Sequence, residues 1–253
     1  MDEVTLHVKH VDEYKLIMSV YVDDLLITRD KKKLVEKFKT NIKDKFKMNE
    51  LSLLSYFLGM EVTQFEQGYF LYQKSFSLKI LNNFAMVNCK PVSTPMILGQ
   101  KLMKEDEAPK TDGKSYRSLV GSLLYLTATR PDILFVVNYL SRYMQDPSQI
   151  HFMAVKRVLR YLKGTVSFGM HFMKSSFVNL VGFSNNNWGE SDKGMMSISG
   201  YSFAMGDRIF CWNSKKQSVV AHSMAEAEYI VIYVAAKQLI WLRNMLNDLD
   251  FNQ

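Results

Sequence analysis

Cysteine is scarce in this 253-residue chain, which has only Cys89 and Cys211. Two thiols so far apart, neither in a ligand spacing, exclude a disulfide framework and a thiolate cluster; they point to a reducing compartment, cytosol or nucleus. No apolar run reaches membrane-spanning length. The opening MDEVTLHVKH carries acids where a secretory signal has an apolar core, so neither a membrane span nor an export signal is expected. Internal repeats and low-complexity tracts are also missing. The few histidines offer no constellation, because His151 and His222 have no partner at metal-ligand or triad spacing. Three of the five prolines, Pro91, Pro95 and Pro109, gather in a polar stretch. Residues Cys89 to Lys114 therefore read as irregular connection and a plausible boundary.

Apolar side chain, by contrast, is plentiful. Hydrophobic residues make up 47% and charged residues 23%, enough to offset the conformational entropy of folding two compact domains, or one domain with an extended appendage. The sixteen methionines scatter through apolar segments and read as adaptable core filling. A formal charge of +7 attracts polyanions without naming one.

Along the chain, KLIMSVYVDDLLIT (Lys15 to Thr28) is two β-prone runs interrupted by paired acids, which predicts a hairpin with carboxylates at its tip. Leu34, Phe38, Ile42 and Phe46 recur every four residues among lysines, predicting an amphipathic helix with a basic outer face. A second hairpin is expected in YFLGMEVTQFEQGYFLYQ, turning at Gln67-Gly68. Helices are predicted over Tyr116 to Thr129, Ile133 to Met144, with Pro131 near a first helical turn, and Gln149 to Lys163. After Gly164 short alternating runs predict strands, the last two joined through Gly206-Asp207. Ser223 and Glu226 fit a capping box that opens a long helix reaching about Leu249.

The strongest local chemical signal is Tyr21-Val22-Asp23-Asp24. Two adjacent acids between apolar strands are costly unless exposed at a turn or bound to cations. Carboxylates on a rigid hairpin can hold two Mg²⁺ ions about 3.5–4 Å apart for nucleotidyl transfer. Adjacent Asp residues also favour ordinary turns by bonding the backbone, so both readings stand at this point. On the polar side of the third helix, Lys156, Arg157, Arg160 and Lys163 form a basic stripe suited to phosphates, or a solvated face. Tyr143 and Tyr161 could stack on bases, although Tyr between apolar neighbours more often lies in the core with its hydroxyl at the rim.

The segments YVDDLLIT, LSYFLGMEV, NCKPVSTPM, YRSLVGSLLYLTATRPDI, IHFMAVKRVLRYLKGT and SGYSF, followed by WNSKKQ and AEAEYI, resemble copia-type LTR retrotransposon Pol polyproteins in that order, over nearly the whole chain. The resemblance implies an α+β chain in three parts. Residues 1–50 would be the C-terminal part of a reverse transcriptase palm, 51–164 a primer-grip hairpin with thumb and connection helices, and 165–253 a truncated ribonuclease H-like mixed sheet packed by a helix. Asp23 and Asp24 would be the palm's metal-binding pair, with Mg²⁺ as cofactor and Asp23 the direct ligand. With Asp23 so near the start, the fingers and the earlier palm Asp would lie outside this sequence. Asp12 and Glu13 do not resemble that missing motif and read as an exposed turn.

A second departure falls where the family resembles YSDADWAG and this chain has Phe183-Ser184-Asn185-Asn186-Asn187-Trp188-Gly189-Glu190. Asn185 replaces the expected catalytic Asp, and an amide cannot balance a divalent cation as a carboxylate does. Asp192 reads as a solvated loop acid. Glu228 matches the family's helix carboxylate, and the later acids would come after Gln253. The chain is thus expected to be a fragment of a reverse transcriptase with ribonuclease H, inactive alone and of weak Mg²⁺ affinity. Its partner would be RNA–DNA hybrid or template-primer, through Lys156, Arg157, Arg160 and Lys163. The alternatives are a non-catalytic nucleic-acid-binding module and a subunit completing a polymerase in trans with a missing segment.

Overall fold

The computed structural model describes residues 6–11, 14–29, 32–49, 53–174, 179–188 and 196–251. Asp12, Glu13 and Asp192 lie outside them. The chain forms two compact units: Met1–Leu53 with Ile240–Gln253, and Leu54–Leu239.

In the first unit the alternating pattern becomes a three-stranded antiparallel meander of β1 (Leu6–Val11), β2 (Tyr14–Tyr21) and β3 (Asp24–Arg29), in that spatial order. Leu16 on β2 is buried, and Met18 and Val20 share its face because side chains alternate along a strand. Helix α1 (Lys32–Lys43) follows and packs on β3. Its buried Val35 and half-buried Leu34, Phe38 and Ile42 supply the inner stripe, as the four-residue spacing predicts, whereas Phe46, the fourth expected position, lies beyond the helix end at Lys43 and is exposed.

The second unit opens with β4 (Tyr56–Phe57), β5 (Met60–Phe65) and β6 (Gly68–Tyr72). The turn between β5 and β6 is Glu66-Gln67, since Phe65 pairs with Gly68, and not the expected Gln67-Gly68. Gly68 is needed for a different reason. A Cβ there would strike the carbonyl oxygen of Phe172 on β7 (Gly169–Met173), the strand that pairs with β6 and completes the order β4-β5-β6-β7. Helix α2 (Lys74–Asn83) has no helical signature in the sequence, because it carries Ser and Asn residues that favour caps over helix interiors. Burial of Ile80 and Leu81 holds it in place.

Helices α3 (Gly113–Leu126), α4 (Leu134–Ser141) and α5 (Gln149–Gly164) form the main core with α2. Asp112 caps α3, accepting from the backbone N–H groups of Lys114 and Ser115, and Pro131 starts a short 3₁₀ turn leading into α4. Leu119, Val120, Leu123 and Leu126 of α3 meet Val137 and Leu140 of α4 and Val155, Val158, Leu159 and Leu162 of α5. Full burial of such side chains contributes roughly 1.5–3 kcal/mol each.

The strands β8 (Leu180–Asn187), β9 (Ile198–Met205) and β10 (Arg208–Lys216) make a third sheet in the order β10-β9-β8, with the expected turn at Gly206-Asp207. Both pairings are antiparallel, so the expected mixed sheet is corrected: short connections join neighbours, and β7 joins the other sheet. Trp212 Nε1 donates to the Thr127 carbonyl, tying β10 to the end of α3 at 3.1 Å. Helix α6 (Met224–Asp248) closes the described chain. Its start belongs to the second unit; its end belongs to the first, where Lys15 pairs with Asp250 at 3.0 Å. Six α-helices and three antiparallel sheets among the described residues make the chain α+β.

Candidate functional site

The β2–β3 hairpin turns on two residues, because Tyr21 pairs directly with Asp24. Val22 holds φ at 54°, a left-handed backbone that a β-branched residue adopts only under strain. Burial does not offset that strain, since Val22 is 85% exposed. The strained turn leaves Asp23 and Asp24 exposed at the tip. Beside them an open groove of about 530 Å³ runs between hairpin and helix, lined by Met18, Val20, Phe38, Ile42, Lys47 and Met48 among others.

Both carboxylates are hard oxygen donors of the kind Mg²⁺ prefers. They are only two, however, and among the described residues no group of three or more His, Cys, Asp or Glu is placed to hold an ion. Two carboxylates by themselves are fewer than a two-cation clamp uses.

Asn185 is exposed on β8, opposite Gly200 of β9. Glu228 is exposed in the first turns of α6, next to the buried Ala227. These two belong to the second unit, Asp23 and Asp24 to the first. Glu226 is a capping residue with a one-residue displacement: its carboxylate accepts from the backbone N–H of His222 at 2.7 Å, while its own N–H donates to Ser223 Oγ at 3.1 Å. Gln217, at the end of the WNSKKQ segment, ties the helix to the sheet. Its buried amide nitrogen donates to Ser199 Oγ and to the Ala227 carbonyl, both at 3.0 Å.

The basic stripe on α5 is divided. Arg157 donates to Thr94 Oγ1 at 2.9 Å and Arg160 to the Lys90 carbonyl at 2.8 Å, so both arginines strap the proline-rich connection onto the helix. Lys156 is exposed, with its ammonium 5.1 Å from the Phe152 ring centre, and Lys163 is half-buried. Both tyrosines lie in the core: Tyr143 donates to the Leu102 carbonyl at 2.7 Å and Tyr161 to Asp132 at 2.9 Å.

Two buried polar clusters stand outside the candidate sites of the sequence. Arg130, 2% exposed, grips both oxygens of Asp132 at 2.9 and 2.7 Å and also donates to the carbonyl and hydroxyl of Thr165. Burial pushes the Asp132 carboxyl up, but the Arg130 pair and the Tyr161 hydroxyl outweigh it and hold it below the usual range. At the start of α5, Ser148 Oγ donates to Asp106 at 2.6 Å, and His151 Nδ1 accepts the Ser148 backbone N–H at 3.0 Å. That makes His151 the second half of a capping box, a part usually played by Glu or Gln. The S-x-x-H spacing was legible, but the histidine disguised it.

A family model described as reverse transcriptase (RNA-dependent DNA polymerase) matches residues 2–98, the stretch that contains the hairpin, its groove and the first part of the connection. The Retrovirus-related Pol polyprotein from transposon RE2 of Arabidopsis thaliana is 38% identical over 92% of this chain and 16% of its own length. An uncharacterized mitochondrial protein of the same plant is 36% identical over 89% of this chain and 94% of its own length. The chain belongs to the copia-type family of transposon Pol polyproteins. A further copia-type relative, the Pol polyprotein from transposon TNT 1-94 of Nicotiana tabacum, is 35% identical over 94% of this chain and 18% of its own. The chain thus spans under one-fifth of these polyproteins and nearly all of the mitochondrial protein. No solved structure matches it. The reverse transcriptase match ends at Leu98, so the α5 stripe, Asn185 and Glu228 lie beyond it.

Proposed function

We propose that this chain is a nucleic-acid-binding portion of a copia-type reverse transcriptase whose hairpin contributes Asp23 and Asp24 to a Mg²⁺ site that further carboxylates complete. In this reading residues 1–50 are palm, 51–164 primer-grip hairpin with thumb and connection helices, and 165–253 ribonuclease H-like. The observation that carries it is the strained Val22-Asp23 turn, which lifts two acids clear of the sheet within the reverse transcriptase match. Bound Mg²⁺ would supply charge stabilisation for phosphoryl oxygens. The chain's own part is to hold two carboxylates on a rigid tip.

The ribonuclease H-like site is proposed to be silent, because Asn185 carries no charge to balance a cation and leaves Glu228 as the chief acid. RNA–DNA hybrid or template-primer is the proposed partner, with Lys156 and Lys163 the α5 cations least committed elsewhere. Completion in trans is the second reading, favoured by the two-carboxylate count at the tip. The test assays three purified forms with Mg²⁺ or Mn²⁺: the 253-residue polypeptide, its Asn185→Asp variant, and that variant joined to a family C-terminal segment. Neither primer extension nor hybrid cleavage is expected from the first two. Cleavage by the unaltered polypeptide, abolished by Glu228→Gln, would overturn the silent-site claim. Extension that appears only on adding a copia-type fingers and early-palm segment selects completion in trans.

A further inference from the structure

The chain's positive charge is unevenly placed. Residues 31–47 carry eight lysines against Glu36 and Asp44, a net +6 of a chain total of +7. Most of this segment is α1 and the residues just after it, where Lys33, Lys37, Lys45 and Lys47 are exposed.

As a free helix this arrangement is electrostatically unfavourable. Lys33 stands in the first turn, which contains no acid, although the positive end of the helix dipole favours one. Lys33 and Lys37, then Lys39 and Lys43, are four apart on the helix, a spacing at which like charges repel. Glu36 pairs with Lys39 at 3.4 Å. A face built for solubility alone needs no such one-sided charge, because mixed signs give the same hydration with less repulsion.

A polyanion removes the repulsion. Nucleic acid presents a phosphate about every 1.7 Å of duplex axis, and lysines that neutralise phosphates release bound counterions. A membrane fits less well. A helix that lies on lipid exposes its apolar face, whereas in α1 Val35 is buried and Leu34, Phe38 and Ile42 are half-buried towards the sheet.

We propose that Lys33, Lys37, Lys45 and Lys47 form a phosphate-binding surface for nucleic acid on α1 and the segment after it, distinct from the α5 stripe. This rests on the nucleic-acid reading above and assigns it a second and stronger electrostatic contact.

The test is fluorescence anisotropy of a labelled RNA–DNA hybrid, titrated at several salt concentrations. It compares the unaltered chain, a Lys33→Gln/Lys37→Gln/Lys45→Gln/Lys47→Gln variant, the same four positions changed to Arg, and Lys156→Gln/Lys163→Gln. Circular dichroism checks that each remains folded. The four-Gln variant should lose roughly 3.6 from the log-log salt slope, about 0.9 for each of its four contacts, and the Arg variant should keep it. The α5 variant should lose less. Unchanged slope and affinity in the four-Gln variant, with salt-dependent binding by the unaltered chain, overturns this inference alone. No salt-dependent hybrid binding by the unaltered chain overturns the nucleic-acid reading with it. Binding to phosphatidylserine vesicles but not to hybrid would assign the face to membranes and overturn the proposal.

Discussion

At the scale of single residues, buried polar groups govern behaviour that composition conceals. His151 is fully buried at the start of α5, and its Nδ1 must stay unprotonated to accept the Ser148 backbone N–H. Burial lowers its pKa below the ordinary 6.5, and the nearby Asp106 carboxylate offsets only part of that. The folded protein therefore takes up this proton less readily than the unfolded chain. Stability from this group is complete above about pH 6.5 and is lost as pH falls from there. Melting temperatures should decline between pH 7 and pH 5, and His151→Gln, which can still close the capping box, should flatten that part of the profile. An equal decline in the variant would show that the acid sensitivity lies elsewhere.

Elements were legible where local pattern and tertiary packing agree. The α1 stripe, the three core helices and the Gly206-Asp207 hairpin all follow from spacing and turn chemistry. Gly68 has the local signature of a turn residue, because glycine commonly marks turns, yet its smallness serves the approach of β7, a partner a hundred residues away that no local period discloses. Helix α2 escaped notice for a related reason: its serines and asparagines argue against a helix, and the burial of Ile80 and Leu81 overrides them. The paired acids of the β2–β3 hairpin were plain in the sequence, but the strain beneath them was not, since Val is the last residue that chemistry would choose for a φ of 54°. That strain costs about 1–2 kcal/mol. Val22→Gly should therefore raise the urea midpoint of the hairpin-bearing unit without shifting the second unit. A lower midpoint would mean that the turn is not strained.

At the scale of the whole molecule, the two units use their charged groups differently. The first unit carries the dense lysine segment and the exposed Asp23-Asp24 pair, while the second places Arg130, Arg157 and Arg160 in internal bonds and has Asn185 where the family resemblance implies Asp. The serial motifs made the family legible in the sequence. They could not reveal that Arg157 and Arg160 bind the connection, because those partners, Thr94 and the Lys90 carbonyl, are assigned only by folding. The central claim is that cation-holding capacity remains at the hairpin tip and has gone from the strand bearing Asn185. Its most direct test is a Mn²⁺ titration of the isotope-labelled chain followed by NMR, in which the paramagnetic ion broadens nearby amide signals. The account predicts early broadening at Val22 to Leu25, lost in Asp23→Asn/Asp24→Asn, with Asn185 and Glu228 unaffected at the same Mn²⁺ concentration. Broadening first at Asn185 and Glu228, or an unchanged response in the double Asn variant, would contradict it.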